Sequence, residues 1–126
     1  VKTSHELVAD AKARIHEVTP DEAEASLADI DLVIDVREPE EFGEDHLPGA
    51  VNIPRGMLEF KLTADPALED RSRRVLVYCK TSGRAALSAV AMQEMGYLNV
   101  ASIAGGIDAW REAGKELVKP ALPDFE

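Results

Sequence analysis

A single cysteine, Cys79, stands in the whole chain of 126 residues. That scarcity excludes an intrachain disulfide framework and any cysteine-cluster metal site, and a lone thiol suits a reducing compartment. A cytoplasmic location is therefore expected, with a leader removed ahead of Val1 left open. Positive charge is also short: 14 Lys and Arg face 24 Asp and Glu, a formal net charge of −10. The summed field repels nucleic acid and anionic membrane surfaces, so neither is expected as a partner. Long apolar runs are missing as well. No stretch approaches the roughly 20 residues needed to span a bilayer, and the N-terminus lacks a signal-peptide core. There are no internal repeats and no low-complexity tract, and nothing calls for a metal or a cofactor.

What is present is enough hydrophobic sequence, 45% of the chain, to fill one core. A single domain over residues 1–126 is expected at this length. A packing helix is predicted at about residues 4–15, with Ser4 as N-cap and Leu7, Val8, Ala11 and Ile15 on one face. Thr19-Pro20-Asp21-Glu22 combines an N-cap, a proline at the first helical position and first-turn acids, predicting a second helix at about 21–28. The run Leu32-Val33-Ile34-Asp35-Val36 predicts a strand buried on both faces, which implies a parallel sheet covered by helices. A short acidic helix follows it, and Pro48-Gly49 turns the chain into a very short strand at 51–53. Residues 55–62 suggest another short helix with Met57, Leu58 and Leu62 inward, and 69–74 a solvated connection. Further on, Gly96-Tyr97 marks a helix stop, 100–103 a strand, and Gly105-Gly106 a tight turn. The tail from about residue 119 is expected to be loosely ordered. Strands alternating with helices make an α/β domain with a mostly parallel sheet flanked on both faces, whose ligands sit at the carboxyl ends of the strands.

Residues 75–95 are the centre of this pattern: an apolar strand, a loop beginning at Cys79, and a helix starting near Gly83 or Arg84. Cys79 thus lies where a buried strand meets a helix N-terminus, a place that favours an anion. It is the candidate nucleophile; the competing reading is an inert buried thiol. Lys80, Thr81, Ser82, Gly83 and Arg84 would close around the sulfur as a nest of N–H groups. Glycine at 83 would permit a left-handed backbone in the curve, and Lys80 and Arg84 would add positive charge to an acidic protein. Arg84 is favoured as the cation that closes the ring, while Lys80 could equally be a solvated loop residue. Asp35 and Arg37 follow a neighbouring strand end, where an ion pair fixing the loop is the favoured role. Arg55 could face the site and recruit an anion. His46 and Trp110 read as structural, and Thr81 and Ser82 have no triad partners.

In order along the chain, Asp35-Val36-Arg37-Glu38-Pro39-Glu40-Glu41-Phe42, His46-Leu47-Pro48-Gly49-Ala50-Val51-Asn52-Ile53-Pro54, Val77-Tyr78-Cys79, Gly96-Tyr97 and Gly105-Gly106-Ile107-Asp108-Ala109-Trp110 resemble the single-domain rhodanese (sulfurtransferase) family. The resemblance spans roughly residues 16–114 and leaves the leading helix outside. It implies about five strands and a cysteine loop that carries a persulfide. Cys79 would take the outer sulfur of a donor such as thiosulfate, expelling sulfite, and pass it to a nucleophilic acceptor such as cyanide, a low-molecular-weight thiol or a protein. Phosphatases that share this fold place five residues between cysteine and arginine. Four separate Cys79 from Arg84, a narrower ring suited to one sulfur atom. Family loops often carry glycine three residues after the cysteine, where this chain has Ser82. A non-catalytic rhodanese-like module is the alternative, and a peroxide-sensing thiol would lack a resolving cysteine in this chain.

Overall fold

In a computed structural model, residues 1–120 are described. Five strands form one sheet in the order β1-β5-β4-β2-β3, and every pairing within it is parallel. They are β1 (His16–Val18), β2 (Leu32–Asp35), β3 (Val51–Asn52), β4 (Arg74–Tyr78) and β5 (Asn99–Ile103). The central strand, β4, is flanked by β2 and β5, and its apolar run is buried on both faces, as its continuous hydrophobicity requires. Six helices connect and cover the strands: α1 (Ser4–Lys12), α2 (Pro20–Ser26), α3 (Pro39–Glu44), α4 (Leu58–Ala64), α5 (Gly83–Glu94) and α6 (Gly106–Glu112).

Side-chain alternation along β4 divides the interior in two. Val75 and Val77 point, with Cys79 just beyond the strand, into a cluster completed by Leu58 and Leu62 of α4 and Ala85, Ala89 and Met92 of α5. Leu76 and Tyr78 point the other way, into a cluster with Ala23 of α2 and Ile107 and Trp110 of α6. The period of two thus places the cysteine on the α5 side of the sheet and α6 on the opposite side.

Several local expectations need correcting. The strand β1 was not foreseen, because His16-Glu17-Val18 is a short, partly exposed edge segment without an apolar run. Helix α1 is capped by Thr3, not Ser4, in a reciprocal capping box with Glu6, and it ends at Lys12. Leu7 is exposed, while Ile15 lies beyond the helix and packs on the core. Met57 is also exposed, since residues Arg55–Met57 form a 3-10 turn ahead of α4 and leave only Leu58 and Leu62 of that trio inside. Of the tail expected from about 119, residues 121–126 lie outside the described part.

Candidate active site

The candidate nucleophile is placed by three elements. β4 delivers Cys79 to the carboxyl end of the central strand, where the residue is 1% exposed. Helix α5 begins at Gly83, and the backbone N–H of Ala85 in its first turn donates to Cys79 Sγ at 3.4 Å. Helix α6 supports the loop from the opposite face: Ile107 N–H donates to the Cys79 carbonyl at 2.9 Å and Asp108 N–H to the Lys80 carbonyl at 3.1 Å.

Gly106 makes that support possible. A Cβ at this position would lie 2.3 Å from the Thr81 carbonyl oxygen, 2.5 Å from that of Cys79 and 2.7 Å from that of Lys80, so only glycine fits. Its φ of +59° and that of Gly105, +77°, are left-handed values that glycine adopts without strain. Three successive carbonyls therefore converge on α6. In a trans peptide the C=O and the following N–H point in opposite directions, and the structure has no cis bonds. The N–H groups of Lys80, Thr81 and Ser82 consequently turn away from α6, toward the side of the sheet that carries the sulfur. Among the described residues, the N–H groups of residues 80–84 find no protein acceptor. Five consecutive donors beside a thiol are thus left without a protein acceptor, an arrangement of the kind that suits an anion.

Gly83 does not supply the left-handed turn expected of it. It is the first residue of α5 with an ordinary negative φ, and a Cβ there would only touch Val8 Cγ2 of α1 at 3.4 Å. Ser82 takes φ −152°, which any residue adopts, so the loop needs no glycine at its third position.

The two cations expected to serve the ring are both held by carboxylates. Arg84 makes a two-pronged bond to Glu41 of α3, with Nη1–Oε1 at 2.7 Å and Nη2–Oε2 at 3.1 Å. The Arg84 bonds hold the Glu41 carboxyl well below the usual range, at about 2, while partial burial opposes them. Lys80 Nζ reaches Asp108 at 2.8 Å, and that bond also lowers the Asp108 pKa. Sequence reasoning did not find Glu41, Asp108, Ala85 or Gly106 as parts of the site. Only Gly106 carried a signal, since paired glycines mark close backbone approach.

The supporting residues lie beside the loop. Asp35, at the carboxyl end of β2, accepts from the Arg37 backbone N–H at 2.9 Å and from Arg37 Nε at 3.0 Å and Nη2 at 2.8 Å. Both side chains are buried, and Arg37 Nη2 also donates to the Asp45 carbonyl at 2.6 Å. Asp45 in turn binds Arg111 of α6 at 2.7 Å. This is an ion pair that fixes the loop after β2. Burial, with Asp35 nearby, pushes the Tyr78 phenol far up, so it stays protonated and accepts the Leu47 N–H at 3.1 Å. Arg55 is held by Glu59 at 2.9 Å, in a shallow cleft shared with α1 and α5, and makes no hydrogen bond or ion pair with the loop. His46 Nδ1 pairs with the Phe42 carbonyl and its ring stacks on Phe42, and the Trp110 indole N–H donates to Glu116.

A parallel α/β sheet with a thiol at its central carboxyl edge, faced by unpartnered amides, defines a cysteine-loop domain suited to a bound or covalent anion. The chain belongs to the rhodanese-like domain family, whose model matches residues 19–113. It is 27% identical over 108 residues to a sulfurtransferase of Allochromatium vinosum, covering 84% of this chain and 97% of that one. Over 74 residues it is 38% identical to the thiosulfate sulfurtransferase PspE of Escherichia coli, covering 59% of this chain and 68% of the relative. Among solved structures it resembles a Rhodopseudomonas palustris protein of unknown function described as a possible tyrosine phosphatase, with TM-score 0.85 and 30% identity over 94% of this chain and 96% of that one.

Proposed function

We propose that the protein is a sulfurtransferase that cycles through a persulfide on Cys79. The observation that carries this reading is the row of N–H groups at residues 80–84 that find no acceptor among the described residues, those of 80–82 turned away from α6, next to the thiol that takes the Ala85 N–H. Those donors stabilise an anionic terminal sulfur without a general base. With thiosulfate, the Cys79 thiolate attacks the outer sulfur, the sulfur–sulfur bond of the donor breaks, and its electron pair leaves with sulfite. A nucleophilic acceptor such as cyanide or a thiol then attacks the terminal sulfur, and the electron pair of the broken bond returns to Cys79 as thiolate. The curated relatives named as sulfurtransferases support the same chemistry. Phosphoryl transfer fits less well, because the arginine that would bind phosphate is engaged by Glu41.

Incubation with thiosulfate and cyanide tests the reading. Thiocyanate should form, and intact mass should show one added sulfur atom on the protein after thiosulfate alone. Neither thiocyanate nor added sulfur would sink it, and would favour a non-catalytic module whose partner binding survives Cys79→Ser.

A further inference from the structure

Of the eight arginines, Arg74 alone has a side chain without a hydrogen-bond or ion-pair partner among the described residues. The protein has 24 acidic residues against 14 basic ones, so a guanidinium left without a carboxylate stands out. Asp31 lies beside it but accepts the Arg74 backbone N–H, at 2.8 Å. Arg74 begins β4, and the period of two puts its side chain on the face of Leu76 and Tyr78, the side covered by α2 and α6. Strand register sets Asn99 of β5 next to it, and sets His16 of β1 next to Ala101 of β5 on the same face.

This end of the face is thinly covered. Helix α2 has seven residues and buries only Ala23, and the floor beneath its last turn is the methyl group of Ala101. An open cavity of about 610 Å³ therefore remains between α2 and the amino ends of β1, β5 and β4, in the range of small-molecule sites. Its charged groups stand at opposite sides. Arg74 lines the β4 side, while His16 and Glu22 line the β1 side, two strand spacings or about 10 Å away. The Glu22 carboxylate is turned to the start of its own helix, where it accepts the Thr19 N–H at 3.0 Å. Between the two sides the walls are apolar, with Ile30 from the turn after α2 and Leu98 from the start of β5, the latter 76% exposed.

We infer that this cavity binds a small carboxylate with an apolar body, the carboxylate on the Arg74 guanidinium and the body over Ala101 between Ile30 and Leu98. The guanidinium presents a planar fork of N–H donors that matches the two oxygens of a carboxylate. A single negative charge suits the cavity better than a phosphate dianion, because Glu22 at the far side repels added charge. The apolar body covers Leu98, which the fold leaves in water. Cys79 follows Arg74 by five positions, about 16 Å along an extended chain, so this ligand lies at the other end of β4 and does not touch the cysteine loop. The site is thus independent of the chemistry at Cys79.

The test follows amide chemical shifts of the full chain during titration with 3-phenylpropionate, with 3-phenylpropanol as an uncharged analogue of the same size. With the acid, shifts at His16, Arg74, Asn99 and Ala101 should saturate in the roughly millimolar range expected of so small a ligand. The alcohol should bind about tenfold more weakly, the scale of losing a charge-assisted hydrogen bond. Arg74→Gln, which removes no contact within the protein, should erase that preference, Arg74→Lys should keep part of it, and high salt should shrink it. Three results would each overturn the site: no saturable shift at these four residues, equal affinity for acid and alcohol, or a preference for the acid that survives Arg74→Gln. Shifts confined to residues 80–84 would overturn it as well, by placing the carboxylate at the cysteine loop.

Discussion

Two loops leave adjacent parallel strands at the same edge of the sheet, one after Asp35 of β2 and one after Tyr78 of β4, residues that face each other in register. The first is closed. Arg37 satisfies the Asp35 carboxylate, the Asp45 carbonyl satisfies Arg37, and Asn52 Nδ2 donates to the carbonyls of Asp35 and Arg37 at 3.0 and 2.9 Å. The second is satisfied on one side only: α6 donates to the carbonyls of Cys79 and Lys80, and the N–H groups of residues 80–84 find no acceptor among the described residues. Equivalent positions at a sheet edge thus serve opposite ends. Complete internal pairing makes a strut, and withheld pairing leaves donors available, as the proposed persulfide loop requires.

The comparison can be broken at either loop. Cys79→Ser should have the largest effect on chemistry, lowering sulfur transfer by about a thousandfold or more because the chain has no other thiol. Retained transfer to cyanide would move the reaction away from this site. Arg37→Ala should have the largest effect on stability, about 3–5 kcal/mol by urea denaturation, since it strands the buried Asp35 carboxylate. Transfer by the fraction still folded at low temperature should persist, because the strut touches no reacting atom.

Gly106→Ala should disturb both properties. Its Cβ must displace three carbonyls, at a cost of about 2–4 kcal/mol from overpacking and left-handed strain, with transfer falling about tenfold or more as the amides are re-aimed. Gly49→Ala separates the causes: its φ is +77° but its surroundings are open, so it should lose about 1 kcal/mol and keep its activity. Equal transfer rates in the two variants would contradict the role given to the carbonyl turn.

The smallest effect is expected from Glu41→Gln. The pair with Arg84 is partly exposed, so stability should change by less than about 1 kcal/mol. Release of Arg84 should raise kcat/KM for the thiosulfate dianion by about twofold to fivefold in steady-state assays. Glu41 has a pKa of about 2 in the fold, lowered from 4.5. Its stabilising contribution is complete above pH 4.5 and fades as the pH falls toward 2. The advantage of Glu41→Gln with thiosulfate should therefore hold steady from pH 5 to 9, and a change across that window would assign the effect to another group.

Legibility in the sequence followed the range of the interaction. The run at 32–36, the strand at 74–78 and the cap of α2 are legible, because periodicity and capping act within a few residues, whereas the cap of α1 falls one residue earlier than Ser4. The edge strand β1 is not, since three residues of mixed polarity become a strand only by pairing with β5. Likewise Met57 has the apolarity of an inward residue, and only the 3-10 turn turns it outward.

The same division runs through the site. A lone cysteine between an apolar strand and a helix, with four residues before Arg84, is written in the order of the residues, and so is the likeness to rhodaneses. Which glycine shapes the loop and which carboxylates occupy its cations were decided by packing. Gly106 follows Cys79 by 27 positions and Glu41 precedes Arg84 by 43. Contacts over such separations have no periodicity to reveal them, and they exist only once parallel strands have brought their carboxyl ends to one edge.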